Sequence, residues 1–176
     1  IGTDGALSDI YSYGHRNPQG LIIDQSTGNI WATEHGPQGG DELNLIKPGA
    51  NYGWPVVGFG VNYGSGSAIH SATQGEGMEN PSHIWVPSIA LSGLMMYRGD
   101  KFPAWNGNIF AGGMAGQQLA RLTVDGEMVM KEETLLQRLG RIRDVREGPD
   151  GYIYVAIEDR RGAPTPIARL EPAGGR

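Results

Sequence analysis

The chain contains no cysteine, which excludes disulfides and thiolate metal or redox sites. No apolar run approaches membrane-spanning length, so no membrane span is expected. Basic residues are outnumbered: 14 Lys and Arg face 19 Asp and Glu, a net charge of −5. No basic face for nucleic acid follows from that balance. Helical signals are also scarce. Only "KEETLLQRL" (131–139) combines helical spacing with good helix formers, and it fits a strand and turn equally well. There is no Walker motif and no serine-centred nucleophile elbow. "GFGVNYG" (58–64) lacks both the glycine spacing and the strand–helix setting of a dinucleotide fingerprint. The chain opens at Ile1 with no signal-peptide pattern, and the expectation is that a leader or a whole preceding region has been removed.

What is abundant is glycine and proline, 29 and 11 residues, which suit many short strands joined by tight turns. Three segments repeat: "GNIWATE" (28–34), "GNIFAGG" (107–113) and "GYIYVAIE" (151–158). Each starts with a turn glycine, continues as an Ile–aromatic alternation, and follows a strand-like run. Gly107 and Gly151 stand 44 residues apart, the length of a β-propeller blade. Gly28 and Gly107 stand 79 apart, and the surplus falls in a long inserted loop at about 49–87. "QQLARLTVDGEMV" (117–129) and "PIARLEP" (166–172) read as outer strands. The fold class is therefore all-β, a β-propeller with about three blades. Since propellers have typically 4–8 blades, the ring is not closed by this chain alone. Its open flanks are expected to carry apolar residues such as Trp31, Phe110 and Tyr154.

Three loops carry candidate chemistry. In "TEHGPQGGDELNLI" (33–46), glycines and a proline bend the backbone beside Asp41 and Glu42. Bare carbonyls and carboxylates suit a hard cation such as calcium, but the same residues also turn a corner. Arg16, just before a strand, either clamps an anion or bonds loop carbonyls. Arg141 and Arg143, two apart on a strand, would form a guanidinium pair on one face, a solvated face or an anion site. The four histidines, His15, His35, His70 and His83, show no close metal-ligand spacing and read as loop or surface packing.

Taken together, "YSYGHRNPQGL", "TEHGPQGGDELN", "GANYGWP", "PSIALSG" and "GRIRDVREGPDGYIYV" resemble the soluble pyrroloquinoline quinone-dependent sugar dehydrogenases, above all the aldose sugar dehydrogenase (glucose/sorbosone dehydrogenase) branch. The resemblance implies a six-bladed propeller, of which residues 1–176 would be the C-terminal half. It implies an oxidoreductase that oxidises the C1 hydroxyl of an aldose sugar to a lactone, by hydride transfer to calcium-bound quinone, with an external electron acceptor. The cofactor is a flat ortho-quinone with carboxylates, and the matching contacts are Arg16, Asn17, Arg141 and Arg143, then Ser88 and Glu158. Calcium would take Gly36 and Pro37 carbonyls at the cofactor, and a second, structural calcium would take Glu42 and the Tyr52 carbonyl. A lysine that some members place on the cofactor aligns with Ala115 here. No catalytic residue is assigned, because the family's base histidine lies in the N-terminal half. A missing N-terminal half or a second copy would complete the ring. A periplasmic or secreted location is implied by the resemblance alone. The alternative is a non-catalytic calcium- or sugar-binding propeller fragment.

Overall fold

Each of the three repeated segments begins on a glycine with φ near +80°: Gly28 (79°), Gly107 (80°) and Gly151 (78°). That backbone conformation lets the chain reverse and start a strand. The structure is a computed structural model that describes residues 9–159 and 161–173. β1 (Pro18–Ile23), β2 (Ile30–Glu34), β3 (Asp41–Ile46) and β4 (His83–Trp85) form one antiparallel sheet in chain order. β5 (Leu91–Met96), β6 (Ile109–Gly113), β7 (Gln118–Asp125) and β8 (Met128–Leu135) form the second. β9 (Arg141–Glu147), β10 (Ile153–Glu158) and β11 (Ile167–Leu170) form the third. The one helical element among the described residues is a 3₁₀ turn, Pro103–Trp105, so none is long and apolar enough to cross a membrane.

These sheets are blades, each meandering from an inner strand outwards. A side chain added at Gly20 of β1 would strike Leu94 and the Ser92 carbonyl of β5. Beyond the ends of the same two strands, Arg98 binds Asp24. On the other side, Ser92 Oγ donates to the Ile142 carbonyl at 2.7 Å, and Arg146 Nη1 donates to the Leu94 carbonyl at 2.8 Å. β1, β5 and β9 therefore lie side by side and run the same way. Their N-terminal ends, near residues 16–17, 88–90 and 141–143, share one end of the propeller.

Two apolar layers sit between the blades. Trp31, Leu43, Leu91, Leu94 and Ile109 belong to the layer between the first and second blades. Met95, Tyr97, Phe110, Ile142 and Val155 belong to the layer between the second and third. Strand alternation sends Ile109 and Phe110 of one strand into opposite layers. Trp31 and Phe110 are thus buried at 1% and 0% exposure, which corrects their expected place on the open flanks. Both side chains point at a blade that is present. The apolar residues left on the outer flanks are Leu21 and Ile23 of β1 and Ile167 of β11, with half-buried Tyr154 beside Ile167.

The insertion is shorter than 49–87: His83–Trp85 forms strand β4, the outer edge of the first blade. Three residues are too few to show an alternation, so the sequence conceals this strand. Residues 131–139 hold no helix; they are the end of β8 and the turn after it.

The outer edges of two blades are stitched by one carboxylate. Glu132 of β8 accepts His83 Nε2 and Trp85 Nε1, each at 2.9 Å. The His83 hydrogen bond lowers the Glu132 pKa from 4.5; burial opposes this and the Trp85 bond adds to it. Glu132→Ala should destabilise the chain by about 1–3 kcal/mol at pH 7, or about 2–4 °C in Tm for each kcal/mol. A group with a lowered folded pKa contributes fully above its unfolded value and loses that contribution as pH falls through the folded one. The Tm gap between the wild-type chain and the variant should therefore narrow below about pH 4.5 in thermal melts.

Candidate functional site

The shared end of the inner strands is organised by buried carboxylates at the β2–β3 hairpin. Glu34, the last residue of β2, is 5% exposed. It accepts the Arg16 backbone N–H at 2.6 Å, His15 Nδ1 at 3.1 Å and Asn44 Nδ2 at 2.8 Å. The His15 ring lies flat against Tyr52, centroids 4.5 Å apart, and its Nε2 meets Ser12 Oγ at 2.9 Å. Asp41, 1% exposed, accepts the Gly36 N–H at 3.1 Å and the Ala90 N–H at 2.7 Å. It thereby ties the Gly36–Pro37 turn to the loop that leads into the second blade.

Gly36 is required by close approach: a Cβ there would lie 2.3 Å from the carbonyl oxygens of Gly39 and Gly40. Arg16 Nη1 donates to the carbonyls of His35 at 3.0 Å and Gly36 at 2.8 Å, and its guanidinium lies 5.2 Å from the Trp54 ring centre. In this structure Arg16 bonds loop carbonyls, one of the two roles open to it from sequence. Asn17 is exposed; its carbonyl accepts the His35 N–H at 3.0 Å and its side chain pairs with Gln19.

Gly36, Pro37, Glu42 and Tyr52 line one hollow, which Arg16 and Glu34 also border. Its free space is about 20 Å³, room for one ion or water and too little for a flat quinone. Burial pushes the Glu42 carboxyl up to about 7; the Asn44 hydrogen bond lowers it, and the Glu34 charge, directly across the strand pair, raises it. The Pro37 and Tyr52 carbonyls accept no hydrogen bond among the described residues. No group of three or more His, Cys, Asp or Glu side chains that could hold a metal occurs among the described residues. An ion here would depend on main-chain carbonyls with one carboxylate. That donor set, all oxygen, fits calcium.

Arg141 of the arginine pair lines a second hollow. Arg141, opposite Glu158 in the β9–β10 pairing, donates to its Oε2 at 3.1 Å, and Arg143 Nε stands 3.5 Å from the same oxygen. A β-bulge skips Arg143 in the register, yet both guanidiniums also reach Met114 Sδ, at 3.6 and 2.7 Å. Two cations therefore share one carboxylate, leaving positive charge in excess. Arg141 and Glu158 line a hollow of about 410 Å³, a size suited to a small cofactor. An anionic ligand fits these residues. Ser88 Oγ is buried with no partner among the described residues, an orphaned donor at the head of the second blade.

Arg16 and Arg141 thus line different hollows at the same end of the propeller, and Arg143 is joined to the second through Glu158. Sequence reasoning missed Glu34 and Asn44, and it saw Asp41 only as an acid beside the turn, not as the tie between two loops; these roles depend on strand pairing and tertiary contact. It also missed His70, which lines the small hollow edge-on to Trp54 with a buried, unpartnered Nε2. Only the tertiary return of the insertion reveals that position.

Comparison with known proteins agrees with this architecture. The chain is 43% identical to an aldose sugar dehydrogenase of Escherichia coli over 166 residues, covering 92% of the chain and 44% of that protein. It superposes on a glucose dehydrogenase crystal structure with a TM-score of 0.90 at 44% identity, over 98% of the chain and 50% of that structure. The PQQ-bound aldose sugar dehydrogenase of Streptomyces coelicolor matches at 31% identity and TM-score 0.69, over 92% of the chain and 45% of that structure. The chain spans less than half the length of the curated relatives it matches nearly end to end. With the Glucose / Sorbosone dehydrogenase family matching residues 1–168, the chain belongs to that family.

Proposed function

We infer that this chain forms the cofactor-binding half of a quinoprotein sugar dehydrogenase. The observation that carries the reading is the Arg141–Arg143 pair on one carboxylate beside a cofactor-sized hollow. This pair sits at the same propeller end as the ion-sized hollow under Gly36 and Pro37. When bound, pyrroloquinoline quinone supplies a hydride acceptor for the C1 carbon of an aldose, giving a lactone, and calcium supplies a Lewis acid for its carbonyl. The chain's own residues bind and orient. Arg141 and Arg143 hold carboxylates, with Arg16, Asn17, Ser88 and Glu158 as further polar contacts. The small hollow, with room for one ion, would take calcium on the Gly36, Pro37 and Tyr52 carbonyls and the Glu42 carboxylate. The resemblance gives the first pair, Gly36 and Pro37, a catalytic calcium and the second pair, Glu42 and Tyr52, a structural one.

The proton acceptor for the sugar hydroxyl is assigned to no residue here; it belongs to an N-terminal half. That half, or a second copy, packs on the flanks marked by Leu21, Ile23 and Ile167. General-base help is typically worth about 10²–10⁴-fold in rate. The chain alone should therefore bind quinone but reduce a dye with glucose very slowly, and an N-terminal half added in trans should restore turnover. Full activity from the monomeric chain alone would contradict this division of labour. A periplasmic or secreted location accompanies the same reading.

Two substitutions probe the site directly. Arg143→Ala should weaken quinone binding about tenfold or more, followed by absorbance titration with calcium present. Unchanged affinity would remove Arg143 from the cofactor site. Glu42→Ala should abolish the rise in Tm that calcium gives the wild-type chain, about 2.7 kcal/mol at a hundred times the dissociation constant. In chelator the variant should melt no lower than the wild-type chain, because a half-buried carboxylate whose charge is disfavoured by its surroundings has been removed. An equal calcium response in both proteins would refute the assignment of Glu42.

A further inference from the structure

The large hollow contains a cation that no resemblance assigns. Arg138 lines it together with Gln117, Arg141 and Glu158. Arg141 is engaged with Glu158 and Arg161 with Asp159, but the Arg138 side chain has no hydrogen bond or ion pair among the described residues. Its backbone is held in the left-handed region, φ 62°, as is that of Gln117, φ 48°. The two are joined directly, the Arg138 N–H donating to the Gln117 carbonyl at 2.9 Å. Non-glycine residues held in that region persist only where their surroundings over-determine them, and such strain gathers at binding sites. Gln117 belongs to the β6–β7 turn, two residues from exposed Ala115, and Met114 of the same turn touches both Arg141 and Arg143. That turn is where some family members carry a cofactor-contacting lysine and this chain carries Ala115.

We propose that Arg138 supplies the cation that Ala115 withholds: it is a cofactor-binding residue that holds a carboxylate of the quinone from the β8–β9 turn. The inference rests on the quinoprotein reading above. The strained contact with Gln117 fixes the base of the side chain at the rim of the hollow. The guanidinium then adds an unpaired positive group to the hollow that Arg141 lines, for a ligand that carries carboxylates. Arg138 is exposed, so its loss leaves both apolar layers intact.

The test is a titration of the purified chain, with calcium present, by pyrroloquinoline quinone, followed by quinone absorbance and by melting temperature. Arg138→Gln should raise the dissociation constant about tenfold. Arg138→Gly should raise it equally while leaving Tm unchanged or higher, because glycine relieves the left-handed backbone. A residue serving only the fold would give the opposite pattern, intact binding with an altered Tm. Adding Ala115→Lys to Arg138→Gln should recover most of the lost affinity. Quinone binding by the wild-type chain that is unchanged in both Arg138 variants overturns this inference alone, as does failure of Ala115→Lys to restore affinity. No binding by the wild-type chain overturns the quinoprotein reading and this inference with it.

Discussion

The Glu34 carboxylate is the constraint on which the candidate site depends. It ends β2 at the point where that strand meets the segment before β1 and strand β3, and it accepts the Arg16 backbone and the His15 ring from the first and the Asn44 side chain from the second. Hydrogen bonds to a charged partner are worth about 1.5–3 kcal/mol each, and a donor left unmatched in a buried place costs a similar amount. With Glu34 satisfied, the segment before β1 is locked against the β2–β3 hairpin, and the Arg16 side chain falls on the His35 and Gly36 carbonyls. Asp41 repeats the device one loop further on, joining Gly36 to Ala90. Two buried carboxylates thus set the positions of loops from two blades.

Much of the fold was legible because hairpins write themselves in glycine and alternation. Gly28, Gly107 and Gly151 mark the turns, and the Ile–aromatic pairs that follow give β2, β6 and β10. What stayed hidden depends on partners distant in sequence. β4 is three residues long and exists because it pairs with β3 and its Trp85 finds Glu132 in the next blade. The burial of Trp31 and Phe110 follows from which face of each sheet meets a neighbour, which a single strand's pattern does not state. Residues 131–139 satisfied a helical spacing, yet pairing of β8 with β7 prevailed over local propensity.

The site was legible to a different degree. Strand spacing made the Arg141–Arg143 pair visible, although a bulge at Arg143 shapes it rather than a regular pleat. The Gly36–Pro37 turn was visible as bent backbone beside acids. Glu34, Asn44 and His70 were not, since an isolated carboxylate, amide or imidazole in sequence carries no sign of what it will face. Arg138 was invisible for the same reason: its left-handed backbone and its bond to Gln117 are properties of two turns meeting.

The two hollows differ in size, one with room for an ion and the other with room for a small cofactor. If both serve one cofactor, binding at one must favour binding at the other, by the same factor in each direction. The decisive measurement is therefore a calcium isotherm by calorimetry, with and without saturating pyrroloquinoline quinone. The account predicts that quinone tightens calcium binding, and that calcium tightens quinone binding by an equal factor. Calcium isotherms that superimpose in the presence and absence of bound quinone would contradict it.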